Sequence, residues 1–177
     1  ISSIAFPDNK EDIYLSWIGA GLGIGVVGGL TILFNHEQIL LDIFEGWHYY
    51  RQYLEKNPLL KGNQINTWNG RWISQRYDRE YDSDDPLMNF NPLVPMSDGL
   101  FNLQTVPWAE VIAGIARNNR TSNMVGYLYS IGQTNTTVGF IPFKLQDIIR
   151  PSQLYAKIFG ESVWMQNRKK VEALYGT

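Results

Sequence analysis

From Ile13 to Phe34 the chain reads IYLSWIGAGLGIGVVGGLTILF. This is a run of about 22 residues with no ionisable side chain but Tyr14, the length a helix needs to cross a hydrocarbon core. Asp8, Lys10, Glu11 and Asp12 precede it, Asn35, His36 and Glu37 follow it, and Tyr14 and Trp17 fall where an aromatic belt would lie. The stretch predicts a transmembrane helix over residues 13–34. Gly19, Gly21, Gly23, Gly25, Gly28 and Gly29 include four-residue steps, and in lipid such steps let a second helix approach closely. These glycines are therefore the candidate helix-packing interface. Gly23, Gly25 and Gly28 also spell G-x-G-x-x-G, but dinucleotide binding needs a preceding strand and a βαβ unit around it, and the sequence predicts neither. The run is too long for a signal-peptide core and lacks a positive leader, while Ile1 in place of Met is what a processed chain would show. Lys10 and the distant Arg51 leave the membrane orientation open.

Working outward, residues 1–12 form an N-terminal flank and residues 35–58 an amphipathic juxtamembrane helix. Leu40, Ile43, Phe44, Trp47, Tyr50 and Leu54 recur at steps of three and four, with Glu37, Asp42, Glu45, Arg51, Gln52 and Glu55 opposite. Asn57-Pro58 ends that helix, because proline disfavours helical geometry in the residue before it. Residues 59–104 lose periodicity and mix Asn, Asp, Gly and Pro with aromatics. They predict irregular chain with a short helix near Trp72 to Tyr81. Trp68, Trp72, Tyr77, Tyr81 and Phe90 make the segment too aromatic for a free linker, so it is expected to lie over a partner.

Residues 105–177 predict a small α+β extramembrane region. Thr105 and Pro107 open a helix that runs through WAEVIAGIAR to Arg117 and stops at Asn118 and Asn119. Alternation on either side of GQTNT, from Met124 to Phe143, predicts a β-hairpin with Val125, Tyr127, Tyr129 and Ile131 on one face. Pro151 opens a terminal helix with a break at Gly160. The fold class expected is thus a mostly α membrane protein, one transmembrane helix followed by an amphipathic helix, long irregular segments, a β-hairpin and a C-terminal helix.

The composition removes several functions. The 15 Lys and Arg against 17 Asp and Glu give no basic field for a phosphate backbone, so nucleic acid is not an expected partner. With Cys at 0, disulfides, thiolate metal sites and cysteine nucleophiles are excluded. His36, one turn past the run, reads as a polar stop and not as an axial ligand. His48 shares a helix surface with Glu45 and Gln52, which makes an ordinary hydrogen bond its simplest role. Asp78, Glu80, Asp82, Asp84 and Asp85 are interleaved with Arg76 and Arg79 and lack the glycine and final glutamate of a calcium loop, so they read as a solvated acidic turn. Asn119-Arg120-Thr121 and Asn135-Thr136-Thr137 match the glycosylation sequon, a motif frequent by chance. An enzyme built on Asp82, Asp84 or Glu110 would lack any arguable mutual geometry. No catalytic residue, cofactor or metal is expected.

Trp47-His48-Tyr49-Tyr50-Arg51, then Arg71-Trp72-Ile73 and Tyr77-Asp78, resemble the post-membrane region of the SGDH-type accessory subunit of mitochondrial complex I. In that family a single span is followed by a W-x-Y-Y-basic element and an R-W-I element ending in Y-D. The resemblance covers a minority of the chain, with a longer spacer and no counterpart beyond Asp84. It implies a non-catalytic subunit that braces a membrane arm and binds no cofactor. The expectation is therefore a structural, accessory subunit of a large membrane complex, most specifically of the respiratory chain in the mitochondrial inner membrane. Its partners would be other subunits and membrane lipids, and its docking residues Leu40, Phe44, Trp47, Tyr50, Leu54, Trp68 and Trp72. The alternative is a membrane-anchored ligand- or protein-binding module of a bacterial or organellar envelope.

Overall fold

The computed structural model describes residues 9–119, 123–130 and 136–176. Helix α1 (Lys10–Gly21) enters the apolar run but stops after 12 residues. The rest of the run becomes strand β1 (Ile24–Val26) and strand β2 (Leu30–Phe34), paired antiparallel. The cause is local. Glycine costs a helix about 1 kcal/mol per residue relative to alanine, and Gly23, Gly25, Gly28 and Gly29 fall close together. Ile24, Val26, Thr31 and Ile32 are β-branched and fit a pleated surface. Gly28 and Gly29 take φ of +100° and +75°, the left-handed region open to glycine, and turn the chain between Val26 and Leu30.

Among the described residues no helix is long and apolar enough to cross a membrane. The transmembrane helix over 13–34 is therefore corrected, and with it the single-pass fold, the integral-membrane location and the mitochondrial inner membrane. Apolarity reports burial without naming the medium. Ile24, Ile32 and Phe34 are buried in the protein's own core.

The sheet is completed by β5 (Asn123–Ser130) and β6 (Thr136–Lys144), in the order β1-β2-β5-β6 with every pair antiparallel. The hairpin expected between Met124 and Phe143 is present. Ile131 and residues 132–135 of its turn lie outside the described residues, as do Arg120 and Thr121 of one sequon and Asn135 of the other. Asn35 N–H donates to Val125 O at 3.0 Å, which turns the Val125 backbone toward β2. Its partner Pro142 on β6 then needs no N–H on that side, as proline on an edge strand requires.

Helix α2 (Glu37–Lys56) ends at Asn57 as predicted, but it buries Ile39, Asp42, Ile43, Gly46 and Tyr50. Helix α3 (Ile65–Arg76) starts earlier than the expected Trp72–Tyr81 helix and is buried at Trp68, Asn69, Gly70, Trp72 and Ile73. The aromatic segment is thus folded onto this chain instead of over a partner. Trp68 Nε1 donates to Gly46 O at 2.9 Å and Trp72 Nε1 to Asp42 O at 2.7 Å, while Trp68 packs on Tyr50 and Phe90. The Trp72 indole occupies the place where a Cβ of Gly46 would stand. A short hairpin of β3 (Leu93–Pro95) and β4 (Phe101–Leu103) follows.

Helix α4 (Trp108–Asn118) follows the expected bounds closely, with Pro107 at its cap in place of Thr105. Helix α5 (Leu145–Phe159) contains Pro151 instead of starting there. The break at Gly160, φ +89°, separates it from α6 (Glu161–Glu172) and the closing turn Ala173–Gly176.

Candidate functional site

Helix α1 has apolar residues on every side and buries none of them. Ile13, Tyr14, Leu15, Trp17 and Ile18 are all exposed, Trp17 at 69%. Among the described residues, the side-chain hydrogen bonds that tie the helix to the rest of the chain fall at its C-terminal end. Asn69, itself buried, donates through Nδ2 to Gly21 O at 2.7 Å and to Gly23 O at 2.8 Å, and accepts from Trp47 Nε1 at 3.0 Å. Asn66 Nδ2 donates to Gly23 O at 2.9 Å. These bonds satisfy carbonyls that a helix end leaves without intrahelical partners. A Cβ on Gly21 would stand 3.0 Å from the Trp47 ring, and that ring lies 5.3 Å from the ring of Phe44, which is 57% exposed. The apolar surface of α1 therefore runs on across Trp47 to Phe44 and Leu41 of α2.

Further exposed apolar groups lie on the open edge of the sheet and on the C-terminal helices. Val138 and Phe140 stand out from β6, and Leu154, Ile158, Phe159 and Met165 from α5 and α6. Tyr127 stacks on Tyr129 at 5.5 Å and packs on Phe140 at 5.1 Å. Burial raises the phenol pKa of Tyr129, with Tyr127 adding to it.

A cleft of about 440 Å³ lies between the Val27-Gly28-Gly29 turn and the first turn of α3, lined by neutral groups. A smaller cavity of about 200 Å³ lies under α6, lined by Arg79, Arg117, Ser152, Glu161, Glu172 and Tyr175 among others. Several polar groups of this second cavity pair with one another, while Arg117 Nε is buried without a hydrogen-bond partner among the described residues. Arg117 pairs with Glu172, Ser152 with Tyr175, and Arg79 with Glu161 at 3.5 Å. Tyr175 is raised by burial, partly offset by its bond with Ser152.

The predicted site residues divide. Gly21, Gly23 and Gly25 do serve close packing, but against Trp47, Tyr129 and the backbone of Asn66 within this chain. Gly28 and Gly29 form the hairpin turn, and Gly19 faces open space. Tyr50, Trp68 and Trp72 belong to the core and offer no docking surface, while Leu40, Trp47 and Leu54 are half-buried and Phe44 faces outward. The exposed face of α1 was missed because its residues were assigned to lipid.

Asp78 of the acidic turn binds Arg168 at 2.9 Å, and Glu80 and Asp84 N–H groups donate to Asp78 and Asp82. His48 bonds Gln52 at 2.8 Å. Among the described residues no group of His, Asp and Glu is placed to share a metal ion.

The residues that carry the resemblance are largely packing residues. Tyr49 stacks on Trp72 at 4.8 Å, Tyr50 lies against Trp68, and Tyr77 donates to the buried Asp42. The span that the resemblance implies is absent among the described residues. Comparison with family models, with curated proteins and with solved structures finds no match to this chain.

Proposed function

We propose that this protein is a non-catalytic structural subunit of a multiprotein assembly, and that α1 is the element it inserts into a partner protein. The observation that supports this is the exposure of Ile13, Tyr14, Leu15, Trp17 and Ile18 on a helix that buries none of its residues. A contiguous apolar surface of this kind is stable in an assembled state, where a groove covers it. Twelve residues at 1.5 Å each span about 18 Å, too short for a bilayer core of about 30 Å. Lys10 is outnumbered by Glu11 and Asp12, which disfavours an anionic lipid surface. An apolar groove of a protein suits the helix better than lipid does.

The test is a photo-crosslinking residue at Trp17 in the full chain, purified in mild conditions from its native source. Crosslinks to one protein, lost together with the high-mass complex in Leu15→Asp while the melting temperature stays unchanged, would support the reading. Crosslinks to lipid alone, or an intact complex in Leu15→Asp, would overturn it.

A further inference from the structure

We infer that the surface receiving α1 is the exposed face of α5 and α6 on a second copy of this chain. The inference rests on the reading of α1 as an inserted element and names its partner. Leu154 and Ile158 lie one turn apart on α5, and Phe159, Val163 and Met165 lie around the Gly160 break. All five are exposed, Ile158 at 70%. Apolar side chains at a helical step form a stripe, and an uncovered stripe marks a contact surface. The stretch 150–159 rises about 15 Å, against about 18 Å for α1, so the two are matched in length.

The charges around the two surfaces are opposite in sign. Glu11 and Asp12 stand exposed at the start of α1, and Glu37 and Glu45, also exposed, each lie four residues from Leu41, beside the apolar run that continues from α1 onto α2. None of these carboxylates has an ion pair among the described residues. Lys10 stands beside them, but Arg51, further along α2, is held by Glu55 at 3.2 Å. On α5 and α6 the excess is basic. Exposed Arg150 and Lys157 flank Leu154 at four residues before and three after, and Lys169 follows Met165 by four, with Lys170 next to it. These cations too have no ion pair among the described residues. Of the acids on α5 and α6, Glu161 and Glu172 are already paired with Arg79 and Arg117, which leaves Asp147.

A chain with a net charge of only -2 therefore carries one apolar surface with an acidic border and another with a basic border. Opposite charges around an apolar contact speed the encounter and fix its register, whereas two acidic borders or two basic ones repel. The chain thus supplies both complementary halves. Because the halves differ, the contact is head to tail: each copy offers α1 to one neighbour and α5–α6 to another, which produces rings or open chains.

Sedimentation velocity of the purified full chain over a concentration series tests this. A mass that grows with concentration is expected, and less growth as ionic strength rises from about 0.05 M to about 0.5 M. Leu15→Asp and Ile158→Asp change exposed positions and should each stay monomeric with an unaltered melting temperature. Their equal mixture should form dimers and nothing larger, because the intact α1 of one variant meets the intact α5–α6 surface of the other. Lys157→Glu leaves the apolar stripe whole and should weaken association about tenfold. A monomer at every concentration, or a mixture of the two variants that stays monomeric, would overturn the inference. The structural-subunit reading survives that result where Trp17 still crosslinks to a different protein, and falls with it where Trp17 crosslinks to lipid alone.

Discussion

Gly25 of β1 and Gly70 of α3 meet backbone to backbone: a Cβ on Gly70 would stand 2.6 Å from the carbonyl oxygen of Gly25 and 2.9 Å from Val106. Neither the strand nor the helix backbone can yield easily, so the close approach that positions α3 on the sheet depends on both glycines. Gly70→Ala should destabilise the fold by about 1–3 kcal/mol, the usual range for overpacking, despite alanine's better helix propensity. Gly19→Ala, with nothing within 4 Å of the new methyl, should instead stabilise by up to about 1 kcal/mol. Urea denaturation of the two variants checks this, and shifts of the same sign would contradict the packing argument.

Tyr77 donates to Asp42 Oδ2 at 2.5 Å, and Gln38 donates to the other oxygen at 3.1 Å, with Arg76 at 3.9 Å. Tyr77→Phe leaves one oxygen of a buried carboxylate unpaired and should cost about 1–3 kcal/mol. Burial first, and then Asp42, push the Tyr77 phenol well above its ordinary value of 10.0. The folded chain keeps this proton while the unfolded chain releases it. The contribution is therefore complete below pH 10 and lost as pH rises beyond it. Alkaline denaturation should be less steep in Tyr77→Phe than in the unaltered chain.

Asn69 joins Gly21, Gly23 and Trp47 through one side chain. Asn69→Leu keeps the approximate shape but removes every one of those bonds, each unpaired buried group costing about 1–3 kcal/mol. The variant should melt lower than Asn66→Ala, whose bonds at Ala20 and Gly23 are partly exposed and in part shared with Asn69. Thermal melts monitored by tryptophan fluorescence decide between them.

Asp78 and Arg168 tie α6 to the segment after α3 at 2.9 Å. Burial works to raise the Asp78 carboxyl, but the Glu80 N–H and the Arg168 guanidinium outweigh it and hold the pKa below the ordinary 3.8. The unfolded chain thus takes up the proton first on acidification. The stabilisation is present above pH 3.8 and lost as pH falls through the lower folded value. Asp78→Asn should remove this acid dependence, read by hydrogen exchange in α6 between pH 5 and pH 3.

Much of the fold could be read in the sequence wherever local chemistry dominates. Asn57-Pro58, the α4 limits near Pro107 and Asn119, the β5–β6 alternation and the Gly160 break all depend on residues next to one another. What failed depends on distant partners. The apolar run looked like a span because Ile24, Ile32 and Phe34 are buried, and sequence hydropathy does not distinguish core from lipid. The α2 face was misread because Gly46 counts as no apolar residue, yet it receives the Trp72 indole. The cleft was illegible for the same reason: Thr31 and Thr67 are far apart in sequence, and only the packing of α3 on the sheet brings them to one space.

The attachment of α1 by its C-terminal carbonyls makes it a lever with its fulcrum at Asn66 and Asn69. Those residues sit in the opening turns of α3, whose N-terminus also forms a wall of the cleft. A load applied at Trp17 is thus delivered to the start of α3 with little intervening structure to absorb it.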